Sequence, residues 1–180
     1  KIDKKIILVF SAIGKTTDML INVGQTAAKG NDYKNQLQDI IDLHYNIIND
    51  LLGKNAKIHE IIEPLEKNLR DICLGIYYLK DFSQKNSDYL TSFGEKMSNL
   101  IISEYLKQEI TNKNIYLIDS TEFIITDYNY GNAKIIETKT CQNLEKLKDM
   151  EFDLLIVPGF ISKNESSFIT TLGRGGGDYT

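Results

Sequence analysis

The stretch Ile6-Ile7-Leu8-Val9-Phe10-Ser11-Ala12-Ile13-Gly14 decides the fold class. Its five leading apolar residues run on without polar alternation, the pattern of a strand buried on both faces, and such strands belong to parallel α/β sheets. The polar loop behind it leads into a helix reaching about Ala28, capped by Thr16 or Thr17, with Asp18 in the first turn, where a helix N-terminus favours negative charge. A second run of the same kind, Leu154-Leu155-Ile156-Val157, stops at Pro158-Gly159. Shorter strands are expected at Ile115 to Ile118 and at Phe123-Ile124-Ile125, and a helix at Leu144 to Met150.

Between these sheet elements the period changes. Ile40, Ile41, His44, Ile47, Ile48, Leu51 and Leu52 keep three-and-four spacing up to Gly53, a good helix stop. Ile58, Ile61, Ile62, Leu65, Leu69, Ile72, Ile76 and Leu79 form a second stripe, which Pro64 either kinks or restarts. Residues 32–82 therefore form a helical insertion, a hairpin between sheet elements. Ser92-Phe93-Gly94-Glu95 is expected to open a further helix that runs to about Glu109.

Composition narrows the function classes. The 180 residues, 42% hydrophobic and 26% charged, suit one ordinary globular domain with a sizeable core. With 21 basic and 25 acidic residues the net charge is −4, so no cationic excess exists to cover a nucleic-acid backbone or an anionic membrane. The longest apolar runs fall far short of the roughly 18 residues a membrane helix needs. Cys73 and Cys141 stand apart with no CxxC spacing, and both are expected to be inert packing residues in a reducing cytoplasm. His44, on an apolar helix face, and His59 lack the partners that general-base or metal work requires, and no metal site is expected.

Gly173-Arg174-Gly175-Gly176-Gly177-Asp178-Tyr179-Thr180 is the most informative stretch. Four glycines in five positions allow positive φ and close approach, and successive N–H groups can cradle an anion. A phosphate loop of this kind with no helix after it, and an opening Lys1 to Lys5 that resembles a cut more than a secretory signal, mark the chain as an expected internal fragment. Gly14-Lys15-Thr16-Thr17 invites a P-loop reading, but Val9 occupies the position of the required first glycine.

Taken in order, these motifs resemble the aspartate kinases of the amino-acid kinase family. The resemblance is carried by Val9-Phe10-Ser11-Ala12 through Thr17-Asp18, by Ser92-Phe93-Gly94-Glu95, by Thr126 to Ala133, by Pro158-Gly159-Phe160-Ile161 and, most strongly, by Thr170-Thr171-Leu172-Gly173-Arg174 through Thr180. It extends over essentially the whole chain and is similar in particular to the aspartokinase module that some bacteria fuse to homoserine dehydrogenase. Gly177 departs from the family, which commonly has serine there.

The resemblance implies an α/β, three-layer αβα fold with an open, mostly parallel sheet, present here in part. It implies transfer of the ATP γ-phosphoryl group, with Mg, to the side-chain carboxylate of L-aspartate, without a tightly bound cofactor. Arg174 would hold a substrate carboxylate through paired planar donors, or be a solvated surface residue. Glu95 would take the substrate ammonium, although Ser92-x-x-Glu95 also reads as a capping box. Asp178 is the expected catalytic aspartate beside the substrate, or a helix cap. Ser11 and Thr17 would donate hydroxyl hydrogen bonds, with a helix-cap role open for Thr17, while Phe160 would form a wall. Gly173, Gly175, Gly176 and Gly177 would cradle phosphate.

The family's lysine-phenylalanine-glycine-glycine segment and its ATP-binding half are not among these 180 residues, so this polypeptide alone is expected to be inactive, and the full-length protein to be a homo-oligomer. A P-loop-like nucleotide hydrolase gripping phosphate through Lys15 and Thr16, and a non-catalytic module built on the helical hairpin, are the alternatives.

Overall fold

A computed structural model describes residues 5–54 and 57–173. Strand β1 (Ile6–Phe10) is followed by four helices, α1 (Thr16–Ala28), α2 (Lys34–Leu52), α3 (Ile58–Leu79) and α4 (Gln84–Glu109). Then come β2 (Ile115–Leu117), β3 (Ile125–Thr126), α5 (Glu137–Leu144), β4 (Leu154–Pro158), β5 (Ile161–Asn164) and β6 (Ile169–Thr171). The architecture is α/β, with the parallel pairing that the continuous apolar runs imply.

The strands fall into two three-stranded sheets. In the first, β4 lies between β1 and β2 and runs parallel to both, with Ile6 opposite Leu154 and Phe10 opposite Pro158. In the second, β5 lies between β3, to which it is parallel, and β6, to which it is antiparallel. Only Gly159 and Phe160 separate β4 from β5, so the end of the first sheet is covalently tied to the start of the second.

The expectation that Ile6–Phe10 is buried on both faces does not hold. Ile6 is 46%, Ile7 58% and Val9 39% exposed, because among the described residues β1 is an edge strand bonded to β4 alone. Leu155, Ile156 and Val157 on the central strand are buried as expected.

Helices α2 and α3 are not an appendage. Leu20 and Val23 of α1, Ile40 and Ile48 of α2, Ile62 and Leu69 of α3, and Leu90 and Met97 of α4 share one buried cluster, so the insertion completes a four-helix layer. Pro64 lies inside a continuous α3, and Gly53 ends α2 with φ +87°. Cys73 is buried in this layer and its thiol is pushed up to about 12 by desolvation. Cys141 is exposed on α5, against the expectation of a packed residue. Burial lowers the pKa of His44, whose Nδ1 lies 2.7 Å from the Ile40 carbonyl, and His59 stacks on Tyr45. Among the described residues no helix is long and apolar enough to cross a membrane.

The largest departure from expectation is α4. It starts at Gln84, with Ser83 as N-cap accepting from the Asn86 N–H, so Ser92 to Glu95 lie in the middle of a 26-residue helix. The capping-box reading of Ser92-x-x-Glu95 is overturned, and Ser92 Oγ donates to the Tyr89 carbonyl instead. The helix expected at Leu144 to Met150 starts earlier, as α5, where the Thr140 hydroxyl accepts from the Ile125 N–H and docks the segment on β3, and within the expected range it continues only as a 3-10 turn over Glu145–Leu147.

Gly94 marks the point where α4 touches the loop after β1. A Cβ there would stand 3.1 Å from both Ala12 Cβ and Thr16 Cγ2, atoms rooted close to the backbone. Helix propensity favours alanine over glycine by about 0.5–1 kcal/mol, whereas overpacking a rigid contact costs about 1–3 kcal/mol. Gly94→Ala is therefore expected to lower the urea midpoint, and a raised midpoint would show that the loop yields freely.

Candidate active site

The candidate site lies outside the carboxyl ends of parallel strands β1 and β4, the location where open α/β sheets bind ligands. The chain leaving β1 turns away as a loop, so its carbonyls and N–H groups have no ladder to join. Side chains of α4 take them up. Asn99 Nδ2 donates to the Phe10 carbonyl at 3.0 Å, and Ser98 Oγ donates to the Ser11 carbonyl at 2.8 Å. The Ala12 N–H donates to the Glu95 carboxylate. Gly159, just past β4, donates its N–H to the same Phe10 carbonyl at 2.9 Å.

Helix α1 then begins without the expected cap. Lys15 occupies the N-cap position with no side-chain capping bond, and Thr16 Oγ1 donates backwards to the Ile13 carbonyl at 2.6 Å. Thr16 is fully buried and its hydroxyl is engaged, which removes it as the phosphate and magnesium ligand that a P-loop needs. Thr17 is half-buried in the first turn of α1, and Ser11 is exposed in the loop.

Glu95 is the unusual group. It is 2% exposed, its Oε2 has no hydrogen-bond partner, and no cation among the described residues is paired with it. Burial pushes its carboxyl up to about 7, with the Ala12 N–H pulling the other way. A carboxylate in this condition is short of one donor or one positive charge, which is what a ligand ammonium supplies.

Phe160 lies between β4 and β5. It holds φ +69°, a left-handed conformation unusual for a bulky residue, and its carbonyl accepts from the Leu172 N–H at 3.0 Å. The end of β6 thereby reaches the end of β4. Gly173, at φ +78°, adopts a backbone conformation that favours glycine, and it packs on Asn132, whose Oδ1 would have to move from a Cβ placed 2.5 Å away.

Of the residues selected from sequence, Ser11 lies just past β1, Thr17 in the first turn of α1, Glu95 in the middle of α4, and Phe160 and Gly173 just past β4 and β6. Arg174, Gly175, Gly176, Gly177 and Asp178 lie outside the described residues. Sequence reasoning missed Asp88, Ser98 and Asn99. Their signal was a polar stripe, Asp88, Ser92, Glu95 and Asn99, at helical spacing inside a helix, which is unlike a solvated face once Phe93 and Met97 flank it.

The whole chain, residues 1–180, matches the family profile described as the amino acid kinase family. It is similar to the chloroplastic aspartokinase 3 of Arabidopsis thaliana, at 35% identity over 187 residues covering 99% of this chain and 32% of that protein. It is 24% identical to the bifunctional aspartokinase/homoserine dehydrogenase of Buchnera aphidicola, covering 98% of this chain and 22% of that one. The crystal structure of Escherichia coli aspartokinase III in complex with aspartate and ADP matches with a TM-score of 0.83 at 26% identity, covering 97% of this chain and 38% of the other. The chain spans about a third of the length of the first of these relatives.

Glu95 generates a stability prediction with a definite sign. Its folded pKa of about 7 lies above the ordinary 4.5, so between these values the folded state holds a proton that the unfolded state releases. Stability contributed by the neutral acid is present below about pH 4.5 and is lost as pH rises to about 7. Glu95→Gln, which cannot ionise, is expected to match the parent at pH 4 and exceed it at pH 8 by up to about 3 kcal/mol. Urea denaturation at the two pH values tests this, and an equal difference at both would place the carboxyl in water.

Proposed function

The chain belongs to the amino acid kinase family, and we propose that within it the protein is an aspartate kinase, moving the γ-phosphoryl group of ATP to the side-chain carboxylate of L-aspartate to give 4-phospho-L-aspartate and ADP. This is the first step toward lysine, threonine and methionine. The observation that carries the reading is Glu95, a buried carboxylate with one oxygen unpartnered at the rim of the loop after β1. An amino-acid substrate brings the ammonium that such a group lacks.

Phosphoryl transfer asks little covalent chemistry of a protein. It asks that two anions be aligned and the accumulating charge be offset. In the proposed site Glu95 holds the ammonium, Arg174 grips the α-carboxylate with paired donors, and Ser11 and Thr17 orient the substrate by their hydroxyls. Phe160 walls the pocket, Asp178 orders the ammonium and the polar groups around it, and the N–H groups of Gly173 and Gly175 to Gly177 receive anionic oxygen. The attacking oxygen belongs to aspartate itself, so no protein nucleophile is needed. Magnesium on the nucleotide supplies charge neutralisation at the transferred phosphate.

These 180 residues carry mainly the aspartate side. The nucleotide side belongs to the rest of a longer polypeptide, cytoplasmic and homo-oligomeric, and the 180 residues alone are inert. The engaged Thr16 hydroxyl speaks against the nucleotide-hydrolase alternative, and the burial of α2 and α3 in the four-helix layer against a free helical docking module.

Hydroxamate trapping of the acyl phosphate formed from ATP and L-aspartate by the full polypeptide is the direct test. Loss of two charge-assisted hydrogen bonds in Arg174→Ala is expected to lower kcat/KM for aspartate on the order of a hundredfold or more. Because ionised Glu95 is the form that pairs with ammonium, kcat/KM for aspartate is expected to rise with pH through about 7, and this limb to vanish in Glu95→Gln. A well-folded parent that traps no acyl phosphate would end the proposal, and a pH limb surviving in Glu95→Gln would remove Glu95 from the site.

A further inference from the structure

A second buried carboxylate sits on α4, and nothing in the substrate chemistry above uses it. Asp88 is 2% exposed and accepts three hydrogen bonds, all from residues far along the chain. Its Oδ2 receives the Gly131 N–H at 2.9 Å and the Thr171 N–H at 3.0 Å, and its Oδ1 receives the Thr171 hydroxyl at 2.8 Å. No cation among the described residues forms an ion pair with it. Desolvation pushes its pKa up while the three donors pull it down. Both partners of Oδ2 are obligate backbone donors, so that oxygen is held as a bare acceptor, and only the Thr171 hydroxyl on Oδ1 could accept a proton from the acid.

Joining a helix to a hairpin does not require such a group. Burying an ionised carboxylate costs several kcal/mol, and an apolar contact of similar volume would be cheaper. What three directed bonds add is a fixed position. The Thr171 carbonyl accepts from the Ala133 N–H at 2.9 Å, so the segments Gly131–Ala133 and Thr171–Gly173 are one unit held to α4 through Asp88. Leu172 is bonded to Phe160 and Gly173 is packed on Asn132, which fixes the chain as far as Gly173.

Asp88 and Glu95 are seven residues apart on α4, two turns and about 10 Å along the axis, and therefore on one face. The first grips the segment that ends at Gly173. The second faces the loop after β1.

We propose that Asp88 is a positioning residue of the substrate site: by clamping Gly131 and Thr171 onto α4 it sets the distance between the Glu95 carboxylate and the backbone at Gly173. In the terms of the aspartate kinase reading, on which this rests, Asp88 acts on the substrate through the separation of Glu95, the group for its ammonium, from the chain at Gly173.

The test uses the full polypeptide with Asp88→Asn, Thr171→Val and Thr171→Ser, read out by steady-state kinetics and by amide hydrogen exchange. Asp88→Asn keeps the shape and replaces one acceptor oxygen by a donor, and is expected to raise KM for aspartate about tenfold or more while KM for ATP stays within about twofold. Thr171→Val deletes one of the three bonds and is expected to give a smaller rise, which Thr171→Ser, restoring the hydroxyl, reverses. Exchange is expected to quicken in peptides covering residues 128–134 and 169–173 in Asp88→Asn, and to stay unchanged in α1, α2 and α3. An unchanged aspartate KM with native exchange overturns the proposal. Exchange that quickens throughout the protein, with both KM values moving together, overturns it too, by making Asp88 a general stabiliser. A parent without aspartate-dependent turnover sinks the kinase reading, and local against global exchange then still decides whether Asp88 is a clamp.

Discussion

The backbone leaving β1 has to be satisfied by something other than secondary structure, and the rest of the site follows from how that is done. Phe10 is the last ladder position and Ser11 and Ala12 lie past it, yet the Phe10 and Ser11 carbonyls and the Ala12 N–H all find partners on one helix. Unpaired buried backbone groups cost as much as a lost hydrogen bond each, so the polar face of α4 is the condition under which this loop can be held in one conformation. Gly94 permits the approach by presenting no side chain at the closest point.

A helix with a buried polar face needs stabilisation from elsewhere. Asn99 Oδ1 and Ser103 Oγ are buried without partners, as is Glu95 Oε2, and each such atom is unfavourable by about 1–3 kcal/mol. The opposing contribution comes from the other face of the same helix, where Leu90, Phe93, Met97 and Ile101 enter the cluster built with α1, α2 and α3. The helical insertion thus acts on function indirectly: it supplies the apolar burial that allows α4 to spend its second face on polar groups.

That division also explains which parts were legible in the sequence. Ile6 to Phe10 and Leu154 to Val157 are continuous apolar runs and the stripes of α2 and α3 are apolar patterns with a period, and pattern reading locates all of them. The first nine residues of α4 escaped because Asp88, Thr91 and Ser92 are polar and buried, so the apolar period is broken where the helix is best enclosed. The β5–β6 hairpin escaped for a related reason. Its inward side chains include Ser162, Thr170 and Thr171, and its turn is shaped by Asn164 Oδ1 accepting from the Ser166 and Phe168 N–H groups, none of which raises hydrophobicity. Glu95 and Phe160 were found through motif resemblance, whereas Asp88 belongs to no motif and becomes visible only when residues 88, 131 and 171 are brought together.

The two carboxylates of α4 give the clearest physical criterion for separating a binding group from a positioning group. Both are 2% exposed, and burial raises the pKa of both. Asp88 has each oxygen engaged by donors of the protein itself, so its charge is accounted for within the fold and has no further demand to make. Glu95 has one oxygen bare and a pKa near 7, so its environment is complete only when a donor arrives from outside. Exposure alone would rank the two equally, and sequence alone would favour the one inside a motif. Satisfaction of hydrogen-bonding capacity distinguishes them, because a saturated buried charge fixes geometry while an unsaturated one stores affinity for a cationic ligand.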